Sequence, residues 1–290
     1  MNPGSYRLRN VETRRVKCAS RSNAMLSCKN SRTLSDLSQP FAGYSPPMII
    51  RLDEVSKYFG SFCALENFTL TVEPGQIVAV LGSNGAGKTT LLCALSGIVA
   101  PTQGSIFYDD QLFHRGRIDL RRRILFLPDH PALFARTSLL RHISMCVRLY
   151  DIPMPAEDRV VEILHRLDLL PVAAAPASTL SRGQLYKGAL AALLLIDPEL
   201  WILDEPLASG MDPGGIAYFK QQAREAAKRG RIVVYTTQLL EIAEKFSDRV
   251  CIIDHGRLQL FSRLAELGET SASQSLEQIF LRLRESAGPR

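Results

Sequence analysis

The clearest chemistry in the sequence lies in the stretch VAVLGSNGAGKTTL, where an apolar run leads into closely spaced glycines followed by lysine and threonine. Residues 82–89 match the spacing G-x-x-x-x-G-K-[ST]. A loop of this kind, placed after a strand and before a helix, turns backbone N–H groups toward a phosphate. The helix N-terminus adds the positive end of its dipole. The spacing therefore predicts a binding site for a nucleoside triphosphate.

Residues of this phosphate loop (82–89) have separate expected tasks. Backbone N–H groups are expected to surround the β-phosphate, and the Lys88 ammonium to reach the β and γ oxygens. The Thr89 hydroxyl is expected to bind Mg²⁺. The residues predicted to contact the nucleotide here are Gly82, Ser83, Asn84, Gly85, Ala86, Gly87, Lys88, Thr89 and Thr90.

A second stretch, LWILDEP, places two carboxylates directly after four apolar residues. An apolar run of this length predicts a buried strand, and ligands of parallel sheets bind at the carboxyl ends of strands. Asp204 is expected to hold Mg²⁺, and Glu205 is expected to polarise an attacking water. Two acids beside Pro206 could also serve only as a strand cap, but the phosphate loop upstream favours the catalytic interpretation.

The elements that must position these residues are also visible in the pattern. Short apolar runs at 77–81, 124–127, 200–203, 232–235 and 250–253 predict buried strands. Strands alternating with helical stretches indicate a parallel α/β sheet.

Other stretches complete this prediction. Further strands are predicted at 49–59, 68–72 and 105–108, and helices at 88–98 and 214–228. Residues from about 132 to 196 are predicted to form a helical subdomain inserted into the sheet, broken at several prolines.

Charge and composition divide the chain of 290 residues into three parts. Residues 1–47 carry eight Lys or Arg and two acids, which accounts for the whole net charge of +6. This basic extension is predicted to be disordered, although a basic segment can also contact nucleic acid or anionic lipid. The predicted nucleotide-binding domain covers 48–268, and 269–290 are predicted to form a helical tail with one apolar packing face.

Two classes of protein are excluded by the pattern. The longest apolar run, 189–196, is far shorter than the roughly 20 residues that a membrane span needs. Any membrane role therefore depends on another chain. The six cysteines are scattered without a CxxC pair, which argues against a zinc site or a disulfide framework and favours a reducing cytoplasm.

A third stretch, TLSRGQ at 179–184, lies between the phosphate loop and the paired acids. With it, the sequence resembles the ATP-binding subunit of an ABC transporter, whose signature reads L-S-G-G-Q. The resemblance covers roughly residues 48–262. Ser181, Gly183 and Gln184 match the signature, and the family uses that serine and second glycine to contact the γ-phosphate. SGMDP at 209–213 resembles the loop that touches the partner subunit.

The resemblance implies an α/β fold: a P-loop NTPase core with a mixed sheet, an antiparallel β subdomain and an inserted α-helical subdomain. It implies ATP and Mg²⁺ as ligands, with Phe59 stacked on adenine. Two copies, or two different ATP-binding subunits, are expected to pair head to tail. The pair would drive a transmembrane permease at the cytoplasmic face of the membrane, and no nucleic acid is expected as a partner.

The sequence departs from the family pattern at three positions. Arg182 replaces the first glycine of the signature. Asp129 stands where a glutamine usually touches Mg²⁺ and the attacking water, and it is expected to meet Mg²⁺ through water. Gln238 stands at the position of a switch histidine and is expected to act beside Glu205 as an uncharged donor.

These residues predict ATP hydrolysis that is slower than usual but real. The predicted function is to energise a membrane permease, and the C-terminal SLEQIFLRL, which resembles the tail of exporter subunits, favours export. Two alternatives remain open at this point. One is a degenerate ATP-binding regulator with little turnover, and the other is a family member that acts on ribosomes or DNA.

Overall fold

A computed structural model of the chain describes residues 48–270 and 275–286, which lie within the unit Ser45–Arg290. The basic extension 1–47 is outside the described residues, as are 271–274 and 287–290. Ten strands form two sheets. The strands are β1 (Ile50–Phe59), β2 (Phe62–Val72), β3 (Ile77–Leu81), β4 (Gln103–Tyr108), β5 (Gln111–Leu112), β6 (Ile124–Leu127), β7 (Leu200–Leu203), β8 (Ile232–Thr236), β9 (Arg249–Asp254) and β10 (Arg257–Arg263).

The central sheet has the strand order β10-β9-β3-β8-β7-β6. Strands β9, β3, β8, β7 and β6 are parallel, and β10 pairs with β9 in the antiparallel direction. Every residue of β3, β7 and β8 is buried, because both faces of this sheet are covered. This explains why these strands could be predicted from continuous apolar runs. The carboxyl ends of β3, β7 and β8 lie side by side.

The second sheet is antiparallel, with the order β2-β1-β4-β5. Its inner face packs on the central sheet through a shared cluster that includes Leu52, Phe68, Val80 and Leu92. Strand β2 begins at Phe62, six residues before the predicted start at 68. Glu66 and Asn67 separate the apolar residues at its start from Phe68, and Asn67 has a left-handed φ of 49°, so the alternation typical of a strand is interrupted there.

Nine helices are present in the described ranges. They are α1 (Lys88–Leu95), α2 (Ile118–Arg121), α3 (Leu139–Leu149), α4 (Glu157–Arg166), α5 (Arg182–Ile196), α6 (Pro213–Lys228), α7 (Leu240–Phe246), α8 (Leu264–Thr270) and α9 (Leu276–Ser286). Helices α3, α4 and α5 lie between β6 and β7, where the sequence predicted a helical insertion. The predicted fold class, with its mixed sheet, antiparallel subdomain and helical insertion, is confirmed.

Two helix boundaries differ from the prediction for local reasons. Helix α1 ends at Leu95 instead of 98, because Ser96 caps it and Gly97 adopts a left-handed φ of 72°. The helical insertion starts at Leu139 instead of 132, where Ser138 accepts a hydrogen bond from the Arg141 N–H as N-cap.

The apolar face of α9 packs as predicted: Leu276 is buried, and Ile279, Phe280 and Leu283 contact the core. In the part of the chain that the structure describes, no helix has the length and apolar character to cross a bilayer.

Candidate nucleotide site

The phosphate loop follows β3 directly and ends at α1, as the motif requires. Gly87 is the N-cap of α1 and has a φ of 107°, which residues with a Cβ rarely adopt. A Cβ at Gly87 would also lie 2.5 Å from the Ala64 carbonyl oxygen. Glycine is therefore required here both by backbone conformation and by the close approach of β2.

Lys88 is largely buried, and its ammonium group bonds to the phosphate loop itself. Its Nζ donates to the carbonyl oxygens of Gly82 at 2.9 Å and of Ser83 at 3.1 Å. Burial lowers the pKa of Lys88, while the charges of Glu205 and Asp204 oppose that shift. The cation is therefore held beneath the loop by neutral acceptors and two nearby carboxylates.

Asp204 follows β7 and is 7% exposed. One of its oxygens, Oδ2, accepts from the Thr89 hydroxyl at 2.9 Å, and Oδ1 accepts from the Thr236 hydroxyl at 2.6 Å. Its own backbone N–H donates to the Leu127 carbonyl at 2.9 Å. The ends of β6, β7, β8 and the start of α1 therefore all converge on this carboxylate.

Glu205 lies beside Asp204 with a left-handed φ of 46°. Its N–H donates to the Thr236 hydroxyl oxygen at 2.8 Å, and its Oε1 accepts from the Gln238 amide at 3.4 Å. Burial raises the pKa of Glu205, and the negative charges of Asp204 and Asp129 add to this effect, whereas Gln238 and Lys88 lower it. A carboxylate with a raised pKa is a stronger base than an exposed one.

These side chains share a cavity of about 400 Å³. The residues that line it are Phe62, Ala64, Asn84, Gly85, Gly87, Lys88, Thr89, Thr90, Asp129, Asp204, Glu205 and Gln238. The structure thus brings together most of the predicted phosphate loop, both paired acids, Asp129 and Gln238. Gly82, Ser83 and Ala86 shape the loop without lining the cavity.

Phe59, the ring predicted to stack on adenine, is not among the lining residues, whereas Phe62 is. The two rings belong to paired residues at the β1–β2 turn, and both are exposed. The Phe59 ring instead lies 5.1 Å from the Lys57 ammonium. Phe62 is therefore the aromatic side chain at the cavity wall, and the stacking of Phe59 on adenine stays a prediction.

The donor set fits a magnesium ion. Thr89 and Asp204 present a hydroxyl and a carboxylate oxygen 2.9 Å apart at the cavity wall, and Mg²⁺ prefers such oxygen ligands. Across the described residues, no group of three or more His, Cys, Asp or Glu could hold a metal by itself. Mg²⁺ would therefore use phosphate and water oxygens as well, as is usual in nucleotide sites.

The signature segment, residues 181–184, lies apart from this cavity at the start of α5. Ser181 Oγ accepts from the Gln184 N–H at 3.2 Å, and Gln184 Oε1 accepts from the Ser181 N–H at 2.9 Å. This reciprocal pair is a capping box. Gly183 packs against the loop that contains Gly210, and a Cβ at Gly183 would overlap the Gly210 carbonyl oxygen.

Two departures from the family pattern meet in space. Arg182, at the start of α5, donates from Nη2 to Asp129 Oδ1 at 2.7 Å. Asp129 lines the cavity and Arg182 does not. The same helix is anchored further along by the buried Lys187, which pairs with Asp212 and lowers the pKa of that carboxyl to about 2.

The sequence analysis missed two residues of the site. Thr236 is fully buried and bonds both Asp204 and Glu205. In the sequence, Thr236 could have been noticed as a hydroxyl side chain at the end of an apolar strand, in the stretch YTTQ. Phe62 gave a weaker signal, since three aromatic side chains stand close together at 58, 59 and 62.

Comparison with known proteins gives consistent matches. A family model described as ABC transporter matches residues 65–208. The daunorubicin resistance ATP-binding protein DrrA3 of Streptomyces coeruleorubidus is 35% identical over 72% of this chain and 66% of its own length. The Nod factor export ATP-binding protein I of Cupriavidus metallidurans is 30% identical over 72% of this chain and 69% of its own length.

An import protein is equally similar. The sulfate/thiosulfate import ATP-binding protein CysA of Synechocystis is 32% identical over 78% of this chain and 64% of its own length. The chain thus spans about two thirds of the length of these curated relatives.

Solved structures share the fold. An ATP-binding subunit of an ABC transporter has a TM-score of 0.75 at 24% identity and covers 81% of this chain and 99% of its own. The dimeric ATP-binding cassette MJ0796, bound to ADP and phosphate, has a TM-score of 0.67 at 24% identity, covering 74% and 98%. Sequence relatives, fold and the geometry of the cavity agree, and the chain belongs to the family of ABC transporter ATP-binding subunits.

Proposed function

We propose that this subunit hydrolyses ATP at a head-to-tail dimer interface and thereby drives a separate membrane permease. The arrangement of Asp204 and Glu205 around the Thr236 hydroxyl supports this proposal most directly. Asp204 is turned toward the Thr89 hydroxyl, and Glu205 lines the same cavity as Lys88. One carboxylate is thus assigned to Mg²⁺ and the other to the attacking water.

Glu205 is proposed to accept a proton from the water that attacks the γ-phosphorus. Its raised pKa suits a general base, and the Gln238 amide holds its Oε1 in place at 3.4 Å. Lys88 and the N–H groups at the start of α1 stabilise the phosphate charge, while bound Mg²⁺ would neutralise the β and γ oxygens. The bond between the γ-phosphorus and the oxygen that bridges it to the β-phosphate breaks as the bond to the water oxygen forms. ADP and phosphate are released.

Ser181, Gly183 and Gln184 are proposed to contact ATP that is bound to a second subunit. The support is their position: the signature segment does not line the cavity of its own chain. The MJ0796 cassette, which shares the fold, is a dimer with ADP and phosphate. The partner can be a second copy of this chain or another ATP-binding subunit.

The permease contact is proposed to lie on the helical insertion. A groove of about 400 Å³ runs between α3 and α4, and its walls are mainly apolar side chains such as Leu140, Met154, Val161 and Leu170. Each of these four is exposed, and together they offer apolar surface to a permease helix. Docking there would hold the subunit at the cytoplasmic face of the membrane.

We propose export as the direction of transport. DrrA3, named for daunorubicin resistance, is 35% identical to this chain, and the Nod factor export protein is 30% identical. The import protein CysA, at 32% identity, shows that the ATP-binding subunit is similar in both directions. Transport by vesicles that carry the cognate permease tests this: ATP outside inverted vesicles should drive cargo inward, and movement in the other direction contradicts export.

The test of hydrolysis compares wild-type turnover with that of Glu205→Gln at saturating Mg-ATP. Removing a general base typically lowers the rate by about 10²–10⁴, while ATP affinity should stay near the wild-type value. The control is Glu244→Gln, which changes an exposed glutamate on α7. Equal rates for wild type and Glu205→Gln would remove Glu205 from the mechanism. A wild type without turnover, even beside its permease, would favour the nucleotide-gated regulator.

Gln238 is proposed to slow the reaction. Its amide is uncharged at every pH, and the loss of one transition-state contact costs about 10²–10³ in rate. Since glutamine retains one donor, Gln238→His should raise turnover by a smaller factor, about three- to tenfold. A slower histidine variant would mean that the site is adapted to glutamine.

A further inference from the structure

An ion pair between Arg182 and Asp129 connects the signature segment to the wall of the nucleotide cavity. The two residues are 53 positions apart, and Arg182 Nη2 lies 2.7 Å from Asp129 Oδ1. Asp129 belongs to the wall of the cavity, whereas Arg182 is the first residue of α5, next to Ser181. The other Asp129 oxygen lies 3.7 Å from His130 Nδ1, a longer contact within the same loop.

The cavity wall carries three carboxylates, those of Asp129, Asp204 and Glu205, and one ammonium, that of Lys88. A triphosphate brought into this cavity meets an excess of negative charge, which opposes binding. Asp204 and Glu205 have assigned tasks and accept hydrogen bonds from hydroxyl and amide donors. Asp129 instead accepts from a guanidinium, which carries a full positive charge.

We propose that Arg182 is a positioning residue of the nucleotide site in its own chain. Its guanidinium neutralises Asp129 and holds that carboxylate against the cavity wall, although Arg182 itself does not line the cavity. The two departures from the family pattern then act as one unit: an acid replaces the usual glutamine, and an arginine replaces a signature glycine to compensate its charge. This inference rests on the proposed binding of ATP.

The pair is half-exposed, with side-chain exposures of 52% for Arg182 and 36% for Asp129. Exposed pairs interact weakly and are screened by salt. The effect of Arg182 on nucleotide affinity should therefore be modest, about two- to fivefold, and it should shrink at high ionic strength. It should also depend entirely on the presence of the Asp129 charge.

A double-mutant cycle tests this dependence without using turnover. The affinity for a non-hydrolysable fluorescent ATP analogue with Mg²⁺ is measured for wild type, Arg182→Gln, Asp129→Asn and the double variant. Arg182→Gln should weaken binding by about two- to fivefold in the wild-type background and should have no effect in the Asp129→Asn background. Arg182→Lys, which keeps the positive charge, should retain most of the affinity.

The matched control is Arg159→Gln, which removes an arginine of similar exposure from α4. It should leave affinity unchanged, and the unfolding midpoints of all variants establish that they are folded. Unchanged or tighter binding by Arg182→Gln would overturn the proposal, as would an equal loss in both backgrounds. A wild type that fails to bind the analogue would instead contradict the proposed function.

Discussion

The carboxyl ends of the central strands and the signature segment are two polar regions of the same subunit, yet their side chains lie in opposite environments. Asp204 and Thr236 are buried, and the hydrogen bonds of Asp204 come from Thr89 and Thr236 of the same chain. Arg182, in the signature segment, is 52% exposed, and Ser181 and Gln184 bond only each other's backbone within that turn.

The difference concerns how far each region is satisfied within a single chain. At the strand ends, buried groups must be satisfied internally, because an unpaired buried polar group costs about 1–3 kcal/mol. The signature segment is less buried, and its side chains bond to the adjacent backbone or, for Arg182, to Asp129. We therefore expect changes at the strand ends to alter the isolated subunit, and changes at Ser181, Gly183 and Gln184 to alter mainly the reaction of the proposed pair, whereas Arg182 acts on its own chain through Asp129.

The largest effect on ATP binding is expected from Lys88→Ala. Hydrogen bonds to charged groups contribute about 1.5–3 kcal/mol each, so loss of the ammonium should weaken ATP binding by the isolated subunit about 100-fold. Titration calorimetry with Mg-ATP measures this. The control is Lys220→Ala, which removes a lysine on α6, outside the cavity. Unchanged affinity in Lys88→Ala would mean that the phosphates lie elsewhere.

A smaller but more local effect is expected from Thr236→Val. The side chain keeps its shape but loses the hydroxyl that donates to Asp204 and accepts from the Glu205 N–H. Leaving these buried partners unsatisfied should lower the free energy of unfolding by about 1–3 kcal/mol, as measured by urea denaturation without nucleotide. Thr71→Val, on the exposed face of β2, is the control and should change stability little. Equal losses would contradict the buried network.

Gly183→Ala tests whether the signature segment affects turnover more than it affects ATP binding at the strand ends. The added methyl would overlap the Gly210 carbonyl and displace the start of α5. Turnover should fall about tenfold or more, since overpacking typically costs about 1–3 kcal/mol, while the ATP affinity of the isolated subunit should fall by no more than the about two- to fivefold expected from loss of the Arg182 contact. Gly116→Ala, where the new methyl meets only the His114 ring, is the control. A matching loss of affinity in Gly183→Ala would show that the two regions are not independent.

The smallest effect is expected in the pH dependence of the free energy of unfolding, through the carboxyl group of Glu205. Because the pKa of Glu205 is raised above its ordinary value of 4.5, the folded state holds this proton more tightly than the unfolded state. The resulting stabilisation is complete below pH 4.5 and is lost as the pH rises through the folded pKa. Glu205→Gln should therefore gain stability relative to wild type between pH 5 and 8. Urea denaturation across this range measures the gain, and a flat difference would contradict the raised pKa.

The sequence predicted the strands of the central sheet well, because a sheet covered on both faces requires continuous apolar runs such as those of β3, β7 and β8. The phosphate loop and paired acids were predicted because their spacing is local. Thr236 was missed because threonine is common in strands, so the hydroxyl at the end of β8 did not by itself indicate a contact with Asp204 and Glu205.

The contact between Asp129 and Arg182 was missed for a different reason. Each residue was noticed as a departure from the family pattern, but their proximity follows from the packing of α5 beside the end of β6, which no local spacing encodes. The position of Phe62 at the cavity wall has a similar origin, since the geometry of the β1–β2 turn decides which of Phe59 and Phe62 lines the cavity.

The capping box of Ser181 and Gln184 has a consequence for association. Two reciprocal hydrogen bonds, each from a backbone N–H to a side-chain oxygen, fix this turn within the single subunit. If the proposed pair forms, little conformational entropy of this turn remains to be lost when the surfaces meet. The turn is preorganised, which suits the repeated association that the proposed function requires.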